Sequence, residues 1–306
     1  MQKVIIGSRG SDLALWQANH VKKQLEDLGN EVEIKVIITQ GDALQDLSFD
    51  KLEGKGFFTK EIENELLAGT IDLAVHSHKD LETNPPAGLK IAAVSERGNP
   101  ADILLIRKES FDASELWNLK ENGTIGTSSA RRKSLVKAFR KDCDIKDLRG
   151  NVPTRIDKLA QGQYDAIILA KAGVDRLKLD LSAFEVHVMD TSQFVPAPAQ
   201  GVLGLQIRED DERMAGIMAP MHNKEVFNRI RIERKILNLL EGGCQLPLGV
   251  YCDESNGIFV SYSKSAEHPA QVLEFENTAF DIAEQIFAQL KNIYKTHLLQ
   301  TIYVIN

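Results

Sequence analysis

The sequence has few cysteines and no long apolar run. Its three cysteines, Cys143, Cys244 and Cys252, cannot all pair within one chain, so free thiols in a reducing compartment are expected rather than a disulfide framework. No apolar stretch approaches the roughly 20 residues of a membrane-spanning helix. The first residues lead directly into an alternating apolar strand and lack the apolar core and cleavage site of a signal peptide. A cytoplasmic protein without a membrane partner is expected.

An overall excess of positive charge is also absent, because the formal net charge is -7. General binders of nucleic acid or of membrane surfaces need a broad positive field, so partners of these kinds are not expected. The segment 126–156 differs, since nine basic residues stand there against three acidic ones. An acidic chain thus concentrates positive charge in one place.

The order of strand and helix patterns indicates an α/β fold with more than one domain. The 306 residues are too many for one ordinary core. The first third alternates strand and helix patterns, and a second unit of the same rhythm begins after Pro100. A Pro-rich connection, VPAPAQG, precedes a strand, VLGLQIR, without a partner pattern close behind it. This strand is expected to return to the first sheet, which would give two crossovers and a hinge.

Three domains are predicted, with bounds of 1–98 joined by 200–219, then 99–199, then 220–306. The third begins with a long helix from His222, which has apolar residues at helical spacing and ends at Gly242 and Gly243. Short strands and a final helix near Ile282 to Tyr294 complete a small α+β module.

Two residues stand where chemistry is plausible from the residues alone. Cys244 follows glycines that let the backbone approach a ligand closely, and the alternative is a small buried cysteine in a turn, which is the commoner case for a structural cysteine. Asp80 follows Lys79 and an apolar strand, whose carboxyl end in an open α/β sheet commonly faces the ligand crevice. A solvated loop acid is the alternative for Asp80, and exposed ion pairs are the alternative for the arginines.

Seven segments, taken in order, carry a resemblance to one enzyme family: GSRGSDLALWQA, GKGFFTKEIE, AVHSHKDL, GTSSARR, LRGNVPTRIDKL, YDAIILAKAGVDRL and EGGCQLPLG. Each is weak alone, and the seven in this order are highly specific. The chain resembles the hydroxymethylbilane synthase (porphobilinogen deaminase) family. The resemblance implies a monomer with two hinged doubly wound α/β domains, similar to periplasmic binding proteins, and a small α+β C-terminal domain.

The resemblance also implies a transferase of porphyrin and heme biosynthesis. Four porphobilinogen molecules would be condensed head to tail with release of ammonia, then hydrolysed to the linear tetrapyrrole hydroxymethylbilane. A dipyrromethane cofactor, joined to Cys244 by a thioether, would prime the chain, and the product would pass to uroporphyrinogen-III synthase. No metal is implied, and His76, His78 and the cysteines lack the paired short spacings of a zinc site.

The resemblance assigns catalysis to Asp80 and Lys79. Loss of ammonia leaves positive charge on a pyrrole nitrogen, which a fixed carboxylate would stabilise. Each substrate carries an acetate and a propionate, and guanidinium forks bind carboxylates bidentately. Cofactor binding is expected of Cys244, Lys79, Ser128, Arg131, Arg132, Arg149 and Arg155, and substrate binding of Arg9, Ser11, Lys55, Phe58, Arg149, Arg155 and Arg176. Ser129 is expected to bind a carboxylate or to cap a helix.

Some positions depart from the family pattern or fit it only in part. His78 stands where a methionine is expected, and strand alternation predicts that it shares a face with Asp80, as a packing or solvent-facing residue. Asp12 stands where proline is usual, which puts the local turn in question. Phe57 and Phe58 belong to a predicted mobile loop over the cleft, and at least one of them is expected to anchor the following helix.

Two other classes of protein fit parts of the sequence. A hinged binding protein for small anions would have the same two domains and arginines, but it would have no use for Cys244 or Asp80. An enzyme that uses Cys244 as a turnover nucleophile would need a positioned base, which the sequence does not supply. Release of ammonia from porphobilinogen would distinguish the synthase from the binding protein.

Overall fold

The computed structural model describes residues 3–39, 59–241 and 246–302, with side chains up to residue 292. Its strands are β1 Lys3–Ser8, β2 Glu31–Val36, β3 Leu73–Ser77, β4 Leu89–Val94, β5 Asp102–Arg107, β6 Thr124–Gly126, β7 Asp144–Lys146, β8 Ala166–Ala170, β9 Phe184–Val188, β10 Leu203–Arg208, β11 Leu248–Cys252, β12 Gly257–Tyr262 and β13 Gln271–Glu276. Its α-helices are α1 Asp12–Asp27, α2 Lys60–Leu67, α3 Ala130–Phe139, α4 Val152–Ala160, α5 Lys171–Leu177, α6 Glu212–Met218, α7 Lys224–Leu239 and α8 Ile282–Ile302. A short 3-10 helix, His78–Asp80, follows β3.

The first sheet has the strand order β2-β1-β3-β10-β4. Strand β1 is parallel to β2 and β3, while β10 lies antiparallel between β3 and β4. Helices α1 and α6 cover one face, and α2 covers the other. The predicted return of VLGLQIR to the first sheet is therefore confirmed, and the chain crosses twice between the two large sheets.

The second sheet has the order β7-β6-β8-β5-β9, with β6 parallel to β7 and β8. Strand β5 is apolar at successive positions because both of its faces are buried. Leu104 and Ile106 pack on the face covered by α3, and Ile103 and Leu105 pack on the opposite face. A strand buried on both faces needs apolar residues throughout. The two covered sheets confirm the predicted doubly wound α/β class.

The C-terminal part is a three-stranded antiparallel sheet, β11-β12-β13, with α7 and α8 packed against it. Helix α7 begins after Asn223, whose side-chain oxygen accepts a hydrogen bond from Val226 N at 2.9 Å. Helix α8 extends beyond the predicted end at Tyr294. Among the helices of the described ranges, none is both long and apolar enough to cross a membrane.

One carboxylate, Glu233 on α7, joins the connections between the three sheets. It is fully buried and accepts hydrogen bonds from Arg97 Nη1 at 2.6 Å and Nη2 at 3.3 Å. It also accepts from the backbone N–H of Ala199 at 2.7 Å and of Cys252 at 2.9 Å. Arg97 lies in the first crossover, Ala199 in the second and Cys252 at the end of β11. Glu233 therefore fixes both crossovers to the C-terminal sheet.

Replacement of Glu233 by glutamine should destabilise the protein strongly. The variant would leave the Arg97 guanidinium buried without an opposite charge, which costs about 3–5 kcal/mol of unfolding free energy in comparable buried pairs. Urea-induced unfolding measures this loss. Glu225→Gln, at an exposed position on the same helix, is the control and should cost less than about 1 kcal/mol. Equal losses in the two variants would contradict the assigned role.

Candidate active site

The predicted site residues lie at the carboxyl ends of the parallel strands of both large sheets. Arg9 follows β1, and the 3-10 helix with Lys79 and Asp80 follows β3. In the second sheet, Ser128 follows β6 and Arg149 follows β7. Open α/β sheets bind ligands outside these strand ends. The two sheets thus present their predicted site residues at the edges that bind ligands in this class of fold.

Asp80 is exposed and borders a pocket of about 100 Å³ that Arg9, Ser11 and His76 also line. The prediction that His78 shares a face with Asp80 is wrong. Strand β3 ends at Ser77, and the tighter turn of the 3-10 helix directs the two side chains apart. His78 is buried, and this burial, followed by the charge of Arg234, lowers its pKa to about 4. It is a neutral packing residue near neutral pH.

Arg131 and Arg132 bind a buried carboxylate that the sequence analysis did not single out. Asp102, fully buried at the start of β5, accepts from Arg131 Nη1 at 2.8 Å and from Arg132 Nη2 at 2.7 Å. Arg131 Nη1 also donates to Val195 O at 2.8 Å, and Arg132 Nη1 donates to Ile168 O at 3.0 Å. Both arginines are themselves buried. The pair therefore connects β5 to β8 and to the second crossover, at the edge where the parallel strands end.

The two guanidiniums also keep Asp102 ionised. Burial alone would raise the pKa of this carboxyl, but the charges of Arg131 and Arg132 and their hydrogen bonds outweigh it and hold the pKa well below its usual value. Gln200 Nε2, from the second crossover, donates a further hydrogen bond to Asp102 at 3.0 Å. An acid that opens an otherwise apolar strand was the sequence signal for this site, because a buried charge must be paired.

Lys79 bonds to the second crossover. Its Nζ donates to Gln200 Oε1 at 3.4 Å. Burial is the main cause of a lowered pKa at Lys79; Asp80 opposes that shift, while Arg132 adds to it. The Lys79 ammonium, which follows a strand of the first sheet, therefore lies within electrostatic reach of Asp102, Arg131 and Arg132 in the second.

Arg155 extends the cluster on α4. Its Nε donates to Gly150 O at 2.8 Å. Burial first, and then repulsion from Arg132, lowers its pKa to about 10, whereas Asp80 raises it and Arg149 lowers it. We call Lys79, Asp80, Arg131, Arg132, Arg149 and Arg155 the charged cluster, and the structure brings these predicted site residues together.

Arg176 lies apart from the charged cluster. Its Nη2 donates to Gly201 O at 2.7 Å, and its guanidinium carbon lies 5.7 Å from the centroid of the Trp16 ring. Burial lowers its pKa to about 10. Arg176 therefore connects α5 to the second crossover and to α1, and these contacts join the two large sheets.

The predicted serines bond mainly to backbone. Ser11 caps α1 by accepting from Ala14 N at 3.4 Å, and Ser129 caps α3. Ser128 Oγ both donates to Leu148 O and accepts from Leu148 N, each at 3.0 Å, so one lone pair is left for a ligand. Asp12 starts α1 in the ordinary way, where its charge meets the positive end of the helix dipole.

Four predicted residues, Lys55, Phe57, Phe58 and Cys244, lie outside the described residues. Four residues that organise the site carry no motif by which the sequence would single them out: Asp102, Gln200, Arg97 and Glu233. Among the residues that the structure describes, no group of three or more histidine, cysteine, aspartate or glutamate residues is arranged to hold a metal ion.

The fold and site define an α/β protein with two large sheets and an exposed carboxylate beside clustered guanidiniums. A family model described as "Porphobilinogen deaminase, dipyromethane cofactor binding domain" matches residues 4–216. Porphobilinogen deaminase of Sulfurimonas denitrificans is 45% identical over 253 residues, covering 82% of this chain and 79% of the relative. That of Nitratiruptor is 44% identical over 260 residues, covering 84% and 82%. The chain belongs to the porphobilinogen deaminase family and is a transferase of porphyrin biosynthesis.

Solved structures that match this chain in part include a periplasmic VFT2 domain of BvgS from Bordetella pertussis. It is 14% identical, with a TM-score of 0.42, and the match covers 76% of this chain and 92% of that domain. A periplasmic binding protein of Salmonella typhimurium, described as having high arginine specificity, is 8% identical with a TM-score of 0.41, and the match covers 74% and 97% of the two chains.

Asp102→Asn should lower the free energy of unfolding by about 3–5 kcal/mol near pH 7, because it leaves two buried guanidiniums without their carboxylate. The folded-state pKa of Asp102 is depressed. The stability that ionised Asp102 contributes is therefore complete above the unfolded-state pKa of about 4 and is lost as the pH falls below that value. Urea unfolding at a series of pH values should show the difference between wild type and variant shrinking in acid.

The exposed Asp157 on α4 supplies the control. Asp157→Asn should leave the unfolding free energy within about 0.5 kcal/mol of wild type at each pH. A stability difference for Asp102→Asn that does not change with pH would contradict the depressed pKa.

Proposed function

We propose that this protein condenses four porphobilinogen molecules head to tail on a covalent dipyrromethane primer, releases ammonia at each step and hydrolyses the chain to hydroxymethylbilane. Membership of the porphobilinogen deaminase family supports the reaction class. The observation that carries the proposal is Asp80, an exposed carboxylate that lies within electrostatic reach of Lys79 and Arg155.

Asp80 is the proposed catalytic carboxylate. When the C–N bond of the aminomethyl group breaks, ammonia leaves with the electron pair and positive charge develops on the substrate's pyrrole nitrogen. A fixed carboxylate beside that nitrogen stabilises the charge as it forms. The new C–C bond then releases a proton from the attacking pyrrole carbon, and Asp80 is placed to help carry it away. Lys79, whose pKa burial lowers, holds a ligand carboxylate and assists proton transfer.

The charged cluster fits a ligand with several carboxylates. The cluster contains four guanidiniums and the Lys79 ammonium. The neighbouring carboxylates are those of Asp80 and Asp102, so positive charge is in excess. Arg132 Nε is buried and has no hydrogen-bond partner among the described residues. A dipyrromethane carries an acetate and a propionate on each ring, and when bound it supplies the pyrrole carbon to which the first substrate is joined. Lys79, Ser128, Arg131, Arg132, Arg149 and Arg155 would hold these carboxylates.

The tether of the primer is proposed to be Cys244, through a thioether. Unlike a disulfide, this bond is not reversed by cytosolic thiols. The other two cysteines are buried, and burial raises the pKa of Cys143 to about 12 and raises that of Cys252 further. Thiols of this kind are inert. Their environment supports Cys244 as the reactive cysteine.

The incoming porphobilinogen is proposed to bind near Asp80. Arg9 and Ser11 line the pocket of Asp80 and would contact the substrate there, together with Arg149 and Arg155. Arg176, Lys55 and Phe58 complete the proposed set, although the bonds of Arg176 to Gly201 and Trp16 leave only part of its guanidinium for a ligand.

The domain division is proposed as predicted, namely 1–98 with 200–219, then 99–199, then 220–306. The membership of β10 in the first sheet and the start of α7 at Lys224 support these bounds. We propose further that the protein is a cytoplasmic monomer and that its product passes to uroporphyrinogen-III synthase.

A hinged protein that only binds small anions is the second candidate. It would use the same excess of guanidiniums, but a carboxylate beside them would weaken its affinity for an anion. Incubation with porphobilinogen separates the two, because only the synthase releases ammonia.

Asp80→Asn should fold and keep its cofactor but lose at least about 100-fold in kcat, because the amide lacks the charge that stabilises the developing cation. Steady-state turnover of porphobilinogen measures the loss. Asp157→Asn serves as the matched exposed control. Near-normal turnover by Asp80→Asn would refute the catalytic role.

Intact-mass measurement should show an excess equal to two porphobilinogen units less two ammonia molecules. A thioether survives both denaturation and thiol reductant, whereas a disulfide adduct or a noncovalent ligand does not. Fragmentation should place the excess on the peptide EGGCQLPLG. Cys244→Ser should lose it, and Cys143→Ser and Cys252→Ser should keep it. Active protein with an unmodified Cys244 would overturn the assignment.

A further inference from the structure

The side chain of Arg234 on helix α7 bonds to the chain directly after Asp80. Its Nη2 donates to the carbonyl oxygen of Leu81 at 2.8 Å and to that of Glu82 at 2.5 Å. Leu81 is buried and leaves the 3-10 helix with an extended backbone, before β4 begins at Leu89. Backbone carbonyls that are buried outside a helix or a sheet need a hydrogen-bond donor. Arg234 supplies it and thereby fixes the turn.

The other end of this turn is held by the second crossover. The N–H of His78 donates to Val202 O at 2.9 Å, and Lys79 bonds to Gln200. Asp80 lies between these two attachments. Its position along the cleft is therefore set from one side by the crossover and from the other by α7.

Helix α7 is itself held in one rotation and one register. Glu233, the residue before Arg234, binds Arg97 and both backbone N–H groups described above. Ile230, one turn earlier, packs on Val94 and Val202, and Ile236 packs in the C-terminal core. Arg234 therefore projects from a fixed point.

Arg234 does not belong to the pocket of Asp80. It lines a separate cavity of about 340 Å³ on the other side of the turn, together with His78 and Phe227. The same helix ends at Leu239, shortly before Cys244 in the sequence. Helix α7 thus supports the turn behind the proposed catalytic carboxylate and precedes the proposed cofactor thiol in the sequence.

We propose that Arg234 is a positioning residue that fixes the place of Asp80 at the carboxyl end of β3. It acts through the Leu81–Glu82 backbone and does not touch the substrate. This inference rests on the proposed role of Asp80. It adds that the C-terminal part of the chain sets the place of the catalytic carboxylate as well as carrying the tether.

The test compares Arg234→Met with Arg234→Lys in cofactor-loaded enzyme. A misplacement of about 1 Å can cost on the order of 100-fold in rate, so Arg234→Met should lower kcat by at least about 10-fold. KM for porphobilinogen should stay within about 2-fold, because the arginines proposed to bind its carboxylates are untouched. Arg234→Lys, whose ammonium can donate to the same carbonyls, should recover part of the loss.

Arg231→Met is the matched control, because Arg231 is an exposed arginine one turn earlier on the same helix and lines the same cavity. It should keep wild-type kcat. If Arg234→Met does not fold, Arg234→Gln replaces it, since the amide can still donate to one carbonyl, and the same split between kcat and KM is expected.

A double-mutant cycle separates a positioning role of Arg234 from a general structural role. In Asp80→Glu the carboxylate is already displaced by one methylene, so adding Arg234→Met should cost much less than it does alone. If Arg234→Met lowers kcat by the same factor in wild type and in Asp80→Glu, the role of Arg234 is merely structural. Wild-type kcat in Arg234→Met, with Asp80→Asn inactive, would overturn this inference alone. Normal turnover in Asp80→Asn would instead overturn the proposed function.

Discussion

A carboxylate buried without a partner is prohibitively costly. Asp102 and Glu233 are both fully buried, and the partners that each of them needs determine how the rest of the structure is arranged. Asp102 draws Arg131 and Arg132 to the ligand-binding edge of the second sheet, and Gln200 brings the second crossover to the same place. Glu233 fixes both crossovers to the C-terminal sheet. Because each carboxylate accepts several hydrogen bonds from distant parts of the chain, neither can be satisfied unless the sheets and crossovers stand in their observed places.

The same constraint shapes the candidate active site. Arg131 and Arg132 satisfy Asp102 and also contribute to the positive field around Lys79 and Arg155, so one set of bonds serves stability and the proposed ligand binding together. A guanidinium suits both tasks because its planar fork can bind a protein carboxylate with one edge and present remaining donors elsewhere. Asp80 differs from the two buried acids because it is exposed and remains open to a ligand.

The two crossovers and α7 form the mechanical connection between the sheets. Any hinge motion between the large sheets would act on the crossovers, and α7 is bonded to both of them through Glu233 and to the turn behind Asp80 through Arg234. Ala199, whose N–H bonds to Glu233, has a φ of +61°, a conformation that few residues with a side chain adopt. The hydrogen bond to Glu233 helps to hold this strained backbone, so the second crossover has a defined path.

The sequence by itself determined the α/β class, the family and the strand end that carries Asp80, because periodicity and short motifs are local properties of a chain. It also predicted the return of β10. Only the tertiary structure decided that Asp102 pairs with Arg131 and Arg132, that His78 turns away from Asp80, and that Arg234 reaches Leu81. These outcomes depend on which distant groups meet when the sheets pack. The pairing of a buried charge is set by that three-dimensional meeting, which no local pattern specifies.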